Sequence, residues 1–178
     1  MLVLLPASAL AQTLTATNFV KYFDYDGIRA VAGTVTVTTD GTTQTLDFSL
    51  TGLDNYCAIY HTPTDPNGCG IHIHSGTTCA GDAGGHYYDE GTFTDDPWVG
   101  IRYGGYGTTA GEDSDTTPGV DTGLLSSELE GRALIVHDYD GKRIACALLA
   151  APTPAPSSSP TAPTLKPSPA PTPVPVVV

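Results

Sequence analysis

Four histidines are the residues of this chain whose type and spacing best suit metal chemistry. His72 and His74 form a His-x-His pair within residues 70–74, and side chains two positions apart on a strand lie on the same face. Such a pair can hold one metal ion from a rigid base, although it also occurs on exposed strands that bind nothing. The pair taken alone is a weak indication of a site.

Two further histidines lie where a ligand role has a physical reason. His86 follows Gly84-Gly85, which allows the backbone to bring the ring close to a site. His137 ends an apolar run, where an unpaired charged group would be costly to bury. Taken singly, His86 also fits a solvated loop residue and His137 a carbonyl-bonded residue at the core edge. His61 matches no motif and is not assigned as a ligand.

An all-nitrogen ligand set favours copper, because Cu(II) accepts imidazole in square-planar or tetragonal geometry and Cu(I) tolerates fewer ligands. Zinc also binds imidazole, so the residue types alone leave both metals open. We therefore predict one metal site, with copper as the favoured ion, held by His72, His74, His86 and His137.

The elements that must position these histidines are predicted to be strands of an all-β domain. Two alternating runs on either side of Asp40-Gly41 form a β-hairpin pattern over residues 30–54. The apolar positions of each arm share one face, so that side can pack on a core. These positions are Val35, Val37, Leu46, Phe48 and Leu50.

The remaining chain up to residue 150 alternates between apolar runs and long loops. A loop is predicted directly after Asp54, and residues 75–118 form a long irregular stretch rich in Gly, Asp and Tyr. Loops of that length inside a compact domain are usually functional or disordered, and the presence of His86 and Trp98 favours a functional one here. Strands are predicted at residues 70–74, 124–130, 133–137 and 143–149.

The charge of the chain excludes one class of partner. Among 178 residues, 19 are acidic and 7 basic, which gives a formal net charge of -12. Nucleic acid and anionic membrane surfaces would be repelled by that field, and no segment is apolar enough to span a bilayer. An acidic surface of this kind is also what a soluble extracellular protein needs for solubility alone.

The two ends of the sequence differ in composition from its middle. Residues 1–11 form an apolar run ending in Ala9-Leu10-Ala11, which predicts a signal peptide, truncated or atypical because it lacks a positive start. Residues 151–178 alternate Pro with Ala, Ser, Thr and Val, which predicts a polyproline II stalk open to O-glycosylation. Residues 12–150 are therefore the predicted folded domain of a secreted protein, with the stalk as its attachment to a cell surface or wall.

Cysteine usage agrees with export. The chain has four cysteines, an even number that favours disulfides over a thiolate metal site in a secreted protein. Three pairings are possible, and spacing alone does not choose among them. The cysteines are Cys57, Cys69, Cys79 and Cys146.

Several motifs, in chain order, resemble the copper,zinc superoxide dismutase family. They are Gly-Ile-His-Ile-His at 70–74, Cys79, Gly-Gly-His at 84–86, Gly-Arg-Ala-Leu-Ile-Val-His at 131–137 and Arg-Ile-Ala-Cys at 143–146. The resemblance covers most of residues 30–150 and implies a Greek-key antiparallel β-sandwich or flattened barrel. It also implies that the four histidines bind copper and that Cys79 pairs with Cys146. Cys57 and Cys69 are then left to form a second disulfide, which departs from the basic family pattern.

One departure from the family concerns zinc. The members that bind both metals hold zinc partly through two histidines in the loop that follows the histidine matched by His86. In this chain no histidine occurs between His86 and His137. The chain is therefore similar to the copper-only extracellular branch, and no zinc is expected. His86 then needs another partner to orient its ring. The candidates are Asp89, Glu90, Asp95, Asp96 and Glu112.

The resemblance implies an extracellular superoxide dismutase, which converts superoxide into dioxygen and hydrogen peroxide through Cu(II)/Cu(I) cycling. His86 would leave copper and take up a proton on reduction, and Arg143 would attract the superoxide anion. A surface cation is the alternative for Arg143, but an anionic substrate needs a positive focus in so acidic a domain.

Two other functions stay open at this point. One is a non-catalytic copper-binding ectodomain displayed on the proline-rich stalk, and the other is a hydrolytic zinc site built on three of the histidines. A monomer is favoured over an oligomer.

Overall fold

Alternating apolar and polar residues place nine strands of the described chain in two antiparallel sheets. The computed structural model describes residues 12–60, 62–104 and 111–152. The predicted signal peptide, the predicted stalk from residue 153 onward and His61 lie outside the described residues. The elements are β1 Gln12–Ala16, β2 Val20–Lys21, β3 Ala32–Asp40, β4 Thr43–Thr51, α1 Asn55–Ile59, β5 Ile71–His74, β6 Glu112–Thr116, β7 Val120–Asp121, α2 Ser126–Leu129, β8 Ala133–His137 and β9 Arg143–Leu148.

The first sheet has the strand order β1-β3-β4-β6, with β7 also paired to β4, and the second has the order β2-β9-β8-β5. Apolar side chains from both sheets join one buried cluster between them. The prediction of an all-β antiparallel sandwich is confirmed. The flattened-barrel form of that prediction is not seen, because the strands of the described residues stay in two separate sheets.

The predicted hairpin around Asp40 is present as β3 and β4. Its register pairs Val35 with Phe48 and Val37 with Leu46, and all four side chains are buried on the same side. Gly41 has a φ of 61°, a left-handed conformation that glycine adopts without steric cost at a tight turn. The alternation of apolar and polar residues was therefore sufficient to predict this hairpin.

The second sheet supplies the platform for the histidines. On β5, Ile71 and Ile73 point into the core between the sheets, so His72 and His74 lie on the opposite, outer face. A bulge separates Val136 from His137 where β8 pairs with β9. The outer face of this sheet is buried in turn by the loop that follows β5.

Three local predictions were wrong. Residues 124–130 do not form a strand, because the Glu128 carboxylate accepts a hydrogen bond from the Leu125 amide at 2.8 Å and starts the short helix α2. The predicted loop after Asp54 contains α1, whose first turn is capped by the Asp54 carboxylate. The predicted irregular stretch 75–118 contains the edge strand β6, in which only Asp113 is buried, so its sequence lacks apolar alternation.

Both predicted disulfides are formed. Cys57 is bonded to Cys69 and Cys79 to Cys146, with Cα–Cα separations of 5.7 and 5.6 Å. The second bond attaches the loop after β5 to the middle of β9, a separation of 67 residues in sequence. Two disulfides are compatible with an extracellular protein. In the part of the chain that the structure describes, no helix has the length and apolarity needed to cross a membrane.

Candidate metal centre

The structure brings the four predicted histidines together on the outer face of the second sheet. One ring nitrogen from each lies within 4.8 Å of the others, close enough to hold a single metal ion. His72 and His74 come from β5, His137 ends β8, and His86 reaches the group from the loop. An isolated β-bridge pairs His86 with His74 and fixes the loop backbone against the edge of the sheet.

Three of the rings are held by backbone carbonyl oxygens. Because a carbonyl can only accept, the ring nitrogen facing it carries the hydrogen and the other ring nitrogen is left with a free lone pair. The three contacts are His72 Nε2 to Ile101 O at 2.8 Å, His74 Nδ1 to Gly84 O at 3.0 Å, and His137 Nδ1 to Gly141 O at 2.9 Å.

The nitrogens left over are the strongest sign of a metal site. His72 Nδ1, His74 Nε2 and His137 Nε2 are buried and have no hydrogen-bond partner within the described ranges. Buried polar atoms are nearly always paired, and an unpaired one is costly. A single metal ion that accepts imidazole nitrogen could satisfy all three atoms together.

Burial keeps these imidazoles neutral, as a metal ligand must be. Desolvation lowers the pKa of His74 to about 3 and that of His137 to about 4. Desolvation, reinforced by the neighbouring imidazoles, also lowers the pKa of His72 well below its usual range. At neutral pH the site therefore offers lone pairs with no proton to displace.

Of the five candidate carboxylates, Asp96 is the one that orients the His86 ring. The Asp96 Oδ2 atom accepts from His86 Nδ1 at 2.6 Å, so the His86 Nε2 atom is the one available to a metal. Its other oxygen accepts from the Trp98 amide at 2.9 Å, which fixes the carboxylate in an Asx turn. An Asp followed by Pro is a turn signal, so the sequence contained a cue for this turn. The contact with His86 carried no sequence signal, because it depends on how the loop folds.

Three neighbours of the site were not singled out as site residues from the sequence. The fully buried Trp98 ring has its centroid 6.2 Å from that of His72. The Tyr103 hydroxyl donates to the His137 carbonyl at 2.5 Å and fixes the end of β8. A Cβ atom at Gly70 would lie 2.3 Å from His72 Cε1, so only glycine leaves room for that ring.

The Arg143 side chain lies beside the histidines, but it is not free. Its Nη2 donates to the Gly84 carbonyl at 2.5 Å, the same oxygen that holds His74. Its Nη1 is 2.7 Å from both the Asp82 carboxylate and the Tyr22 hydroxyl, and the side chain is 28% exposed. These two partners could not be predicted from the sequence, because they come from distant segments of the chain.

No protein-family model matches the chain, and no curated protein sequence matches it either. The resemblance to the copper,zinc superoxide dismutases therefore depends on the sequence motifs alone.

The first prediction concerns Asp96. Replacing it by asparagine (Asp96→Asn) removes the charge that orients His86, and we expect Cu(II) affinity in a competition titration to fall about 10- to 100-fold. Asp95→Asn is the matched control, since it removes the same charge from an exposed neighbour. Equal affinities in the two variants would mean that Asp96 does not position the ring.

A second prediction follows from the crowding at Gly70. Gly70→Ala displaces the His72 ring and should lower Cu(II) affinity about tenfold or more. Gly81→Ala is the control, because a Cβ atom there meets nothing within 4 Å. Wild-type affinity in the Gly70 variant would contradict the assigned role of His72.

The third prediction is a pH dependence of the metal-free protein. His74 and His137 have folded pKa values of about 3 and about 4, below the unfolded value of about 6.5, so below pH 6.5 only the unfolded chain takes up these protons. The free energy of unfolding should therefore fall with decreasing pH, by up to about 1.4 kcal/mol per pH unit for each group.

Urea unfolding between pH 6 and pH 4 measures this slope. In the His74→Gln variant one titrating group is gone, so the slope should be smaller by up to about 1.4 kcal/mol per pH unit. Parallel slopes for wild type and variant would show that His74 is not buried in its neutral form.

Proposed function

We propose that the chain is an extracellular copper-only superoxide dismutase, similar to the zinc-lacking branch of the copper,zinc family. The observation that carries the proposal is the group of buried, unpaired imidazole nitrogens with an arginine at its edge. Two disulfides and the signal-like residues 1–11 support the extracellular location.

The choice of copper is supported by the chemistry of the four ligands. All four are imidazoles, with no thiolate or carboxylate among them, and such a set suits Cu(II) and Cu(I). When bound, copper would supply one-electron chemistry, oxidising one superoxide to dioxygen and reducing a second to hydrogen peroxide. The protein contributes a rigid frame, neutral ligands and control of the proton and the anion.

His86 is the ligand suited to exchange a proton. It comes from a loop rather than a strand, and its Nδ1 hydrogen is held by Asp96 at 2.6 Å. With Nδ1 held in this way, Nε2 would be the His86 atom that binds copper or, when the copper is not bound to it, carries a proton. Asp96 would thus act as a positioning residue that keeps the ring aligned throughout.

Arg143 is the residue suited to guide an anion to the site. The net charge of the chain is -12, so superoxide needs a local positive region to approach the metal. The hydrogen bonds of Arg143 to Gly84 and Asp82 hold the guanidinium beside the histidines. Its 28% exposure leaves part of the group open to an incoming anion.

A non-catalytic copper-binding ectodomain is the second candidate. The observation in its favour is that Arg143 is already engaged by the Asp82 carboxylate, which offsets the positive charge that superoxide would meet. In that case the site would bind copper with the same ligands and turn over no superoxide.

Reconstitution of the purified full chain with copper or zinc, followed by elemental analysis and a superoxide-consumption assay, tests the proposal. We expect one copper per chain and rapid superoxide consumption by the copper form alone. Copper binding without superoxide consumption would favour the ectodomain, and preferential retention of zinc would contradict both candidates.

The fourth prediction concerns steering. Arg143→Ala should lower the rate constant with superoxide about tenfold or more and weaken its dependence on ionic strength, with copper still bound. Lys142→Ala is the matched control, since it removes the same charge from the adjacent exposed residue. Equal effects in the two variants would mean that only net charge matters and that Arg143 has no steering role.

A further inference from the structure

A groove lined by tyrosines lies beside the turn that precedes β9, and the metal site makes no use of it. Four rings line this tyrosine groove, and two carboxylates from the turn between β8 and β9 lie along it. Its defining residues are Tyr25, Tyr56, Tyr60, Tyr139, Asp138 and Asp140.

Three of the four rings pack against one another, and their surfaces remain accessible. Tyr56 and Tyr60 are stacked with centroids 5.6 Å apart, and Tyr139 lies 6.2 and 6.0 Å from them. Tyr56 and Tyr60 are still 54% and 51% exposed, and Ile28 at the rim is 97% exposed. Large apolar side chains that are exposed in one cluster, unlike those scattered singly over a surface, mark binding sites.

The framework around the rings is fixed. Tyr56 lies in α1 and Tyr60 directly after it, and the disulfide of Cys57 anchors this helix. Asp54 accepts hydrogen bonds from the amides of Tyr56 and Tyr139 at 3.0 and 3.1 Å. The groove is therefore preformed, and a ligand would lose little free energy in ordering it.

The hydroxyls and charges of the groove specify its ligand further. Within the described residues, none of the four tyrosine hydroxyls takes part in a hydrogen bond, so all can bind a ligand carbonyl. Asp54 is neutralised by Arg29 at 2.5 Å, so the lining keeps Asp26, Asp138 and Asp140 against Lys142. Lys21 lies at the edge, with its Nζ 5.9 Å from the Tyr25 ring centroid, and the carboxylates still outnumber the two lysines. A ligand should therefore be extended, rich in carbonyl oxygens and positively charged.

The chain itself contains such a segment. Proline occupies every second position from Pro167 to Pro175, and Lys166 directly precedes this run. Residues 151–178 contain no acidic residue, and Lys166 is their one basic residue. Proline-rich segments favour polyproline II, a low-entropy conformation that docks between aromatic rings.

The segment is long enough to reach the groove from its own domain. Lys142 lines the groove, and the ten residues from it to Pro152 span at most about 33 Å when fully extended. The fourteen residues from Pro152 to Lys166 span about 43 Å in a polyproline II conformation. Tethering at this length also raises the local concentration of the segment to about the millimolar range.

We propose that the tyrosine groove binds residues 165–175 of the same chain in a polyproline II conformation, with Lys166 directed at Asp138 and Asp140. Prolines pack between the tyrosine rings, and the hydroxyls donate to the segment's carbonyl oxygens. The docked segment lies next to Arg143, because Lys142 lines both this groove and the adjacent one that contains Arg143. The interaction requires no metal and stands independently of the proposed dismutase activity.

Carbon-detected NMR of the metal-free full chain tests the docking. We expect the chemical shifts of residues 165–175 to differ from those of a synthetic peptide of the same sequence. The size of this difference should not change when the protein is diluted. In the full-chain Tyr56→Ser/Tyr60→Ser variant the docked population should fall about tenfold, whereas Leu125→Ser, at another half-exposed apolar residue, should change nothing. Lys166→Glu should weaken docking without altering the folded domain.

Three results would overturn the proposal. One is coincidence of the tail resonances with those of the free peptide in the wild-type chain. Another is a shift that disappears on dilution, which would mean binding between molecules. The third would come from adding a β-linked hexasaccharide. If the tyrosine resonances shift while the tail resonances match those of the free peptide, the groove binds a glycan instead.

Discussion

The outer face of the second sheet must keep three imidazoles both buried and neutral, and the rest of the site depends on how it does so. Each ring donates one nitrogen's hydrogen to a backbone carbonyl and turns its other nitrogen inward. The carbonyls come from different loops, at Ile101, Gly84 and Gly141. Backbone geometry therefore sets both the tautomer and the direction of every strand-borne ligand.

The loop after β5 completes the site because it is tied to the sheet at several points. Backbone hydrogen bonds from Ser75 to Gly85 and from Gly76 to Ala83 close it into a narrow turn. The Cys79–Cys146 disulfide attaches it to β9, and the bridge between His74 and His86 delivers the fourth ring. These links offset the conformational entropy that the loop loses on ordering, so it can hold the His86 ring in a fixed position as a strand would.

The sequence predicted the parts of this arrangement that depend on periodicity or on a recognised motif. The two-residue alternation identified the β3–β4 hairpin, and the order of the histidine and cysteine motifs identified the four rings and both disulfides. It missed β6, where acidic residues at a sheet edge give no apolar pattern. The contacts of Arg143 with Tyr22 and Asp82 could not be predicted, because they are set by tertiary packing of distant segments.

We propose that four imidazole nitrogens share one copper ion, and pulsed electron paramagnetic resonance of the Cu(II)-loaded full chain detects those nitrogens. We expect one Cu(II) species with nitrogen couplings from four histidines, one of which is lost in a His137→Gln variant. A spectrum dominated by oxygen ligands, or one that is the same in wild type and variant, would contradict it.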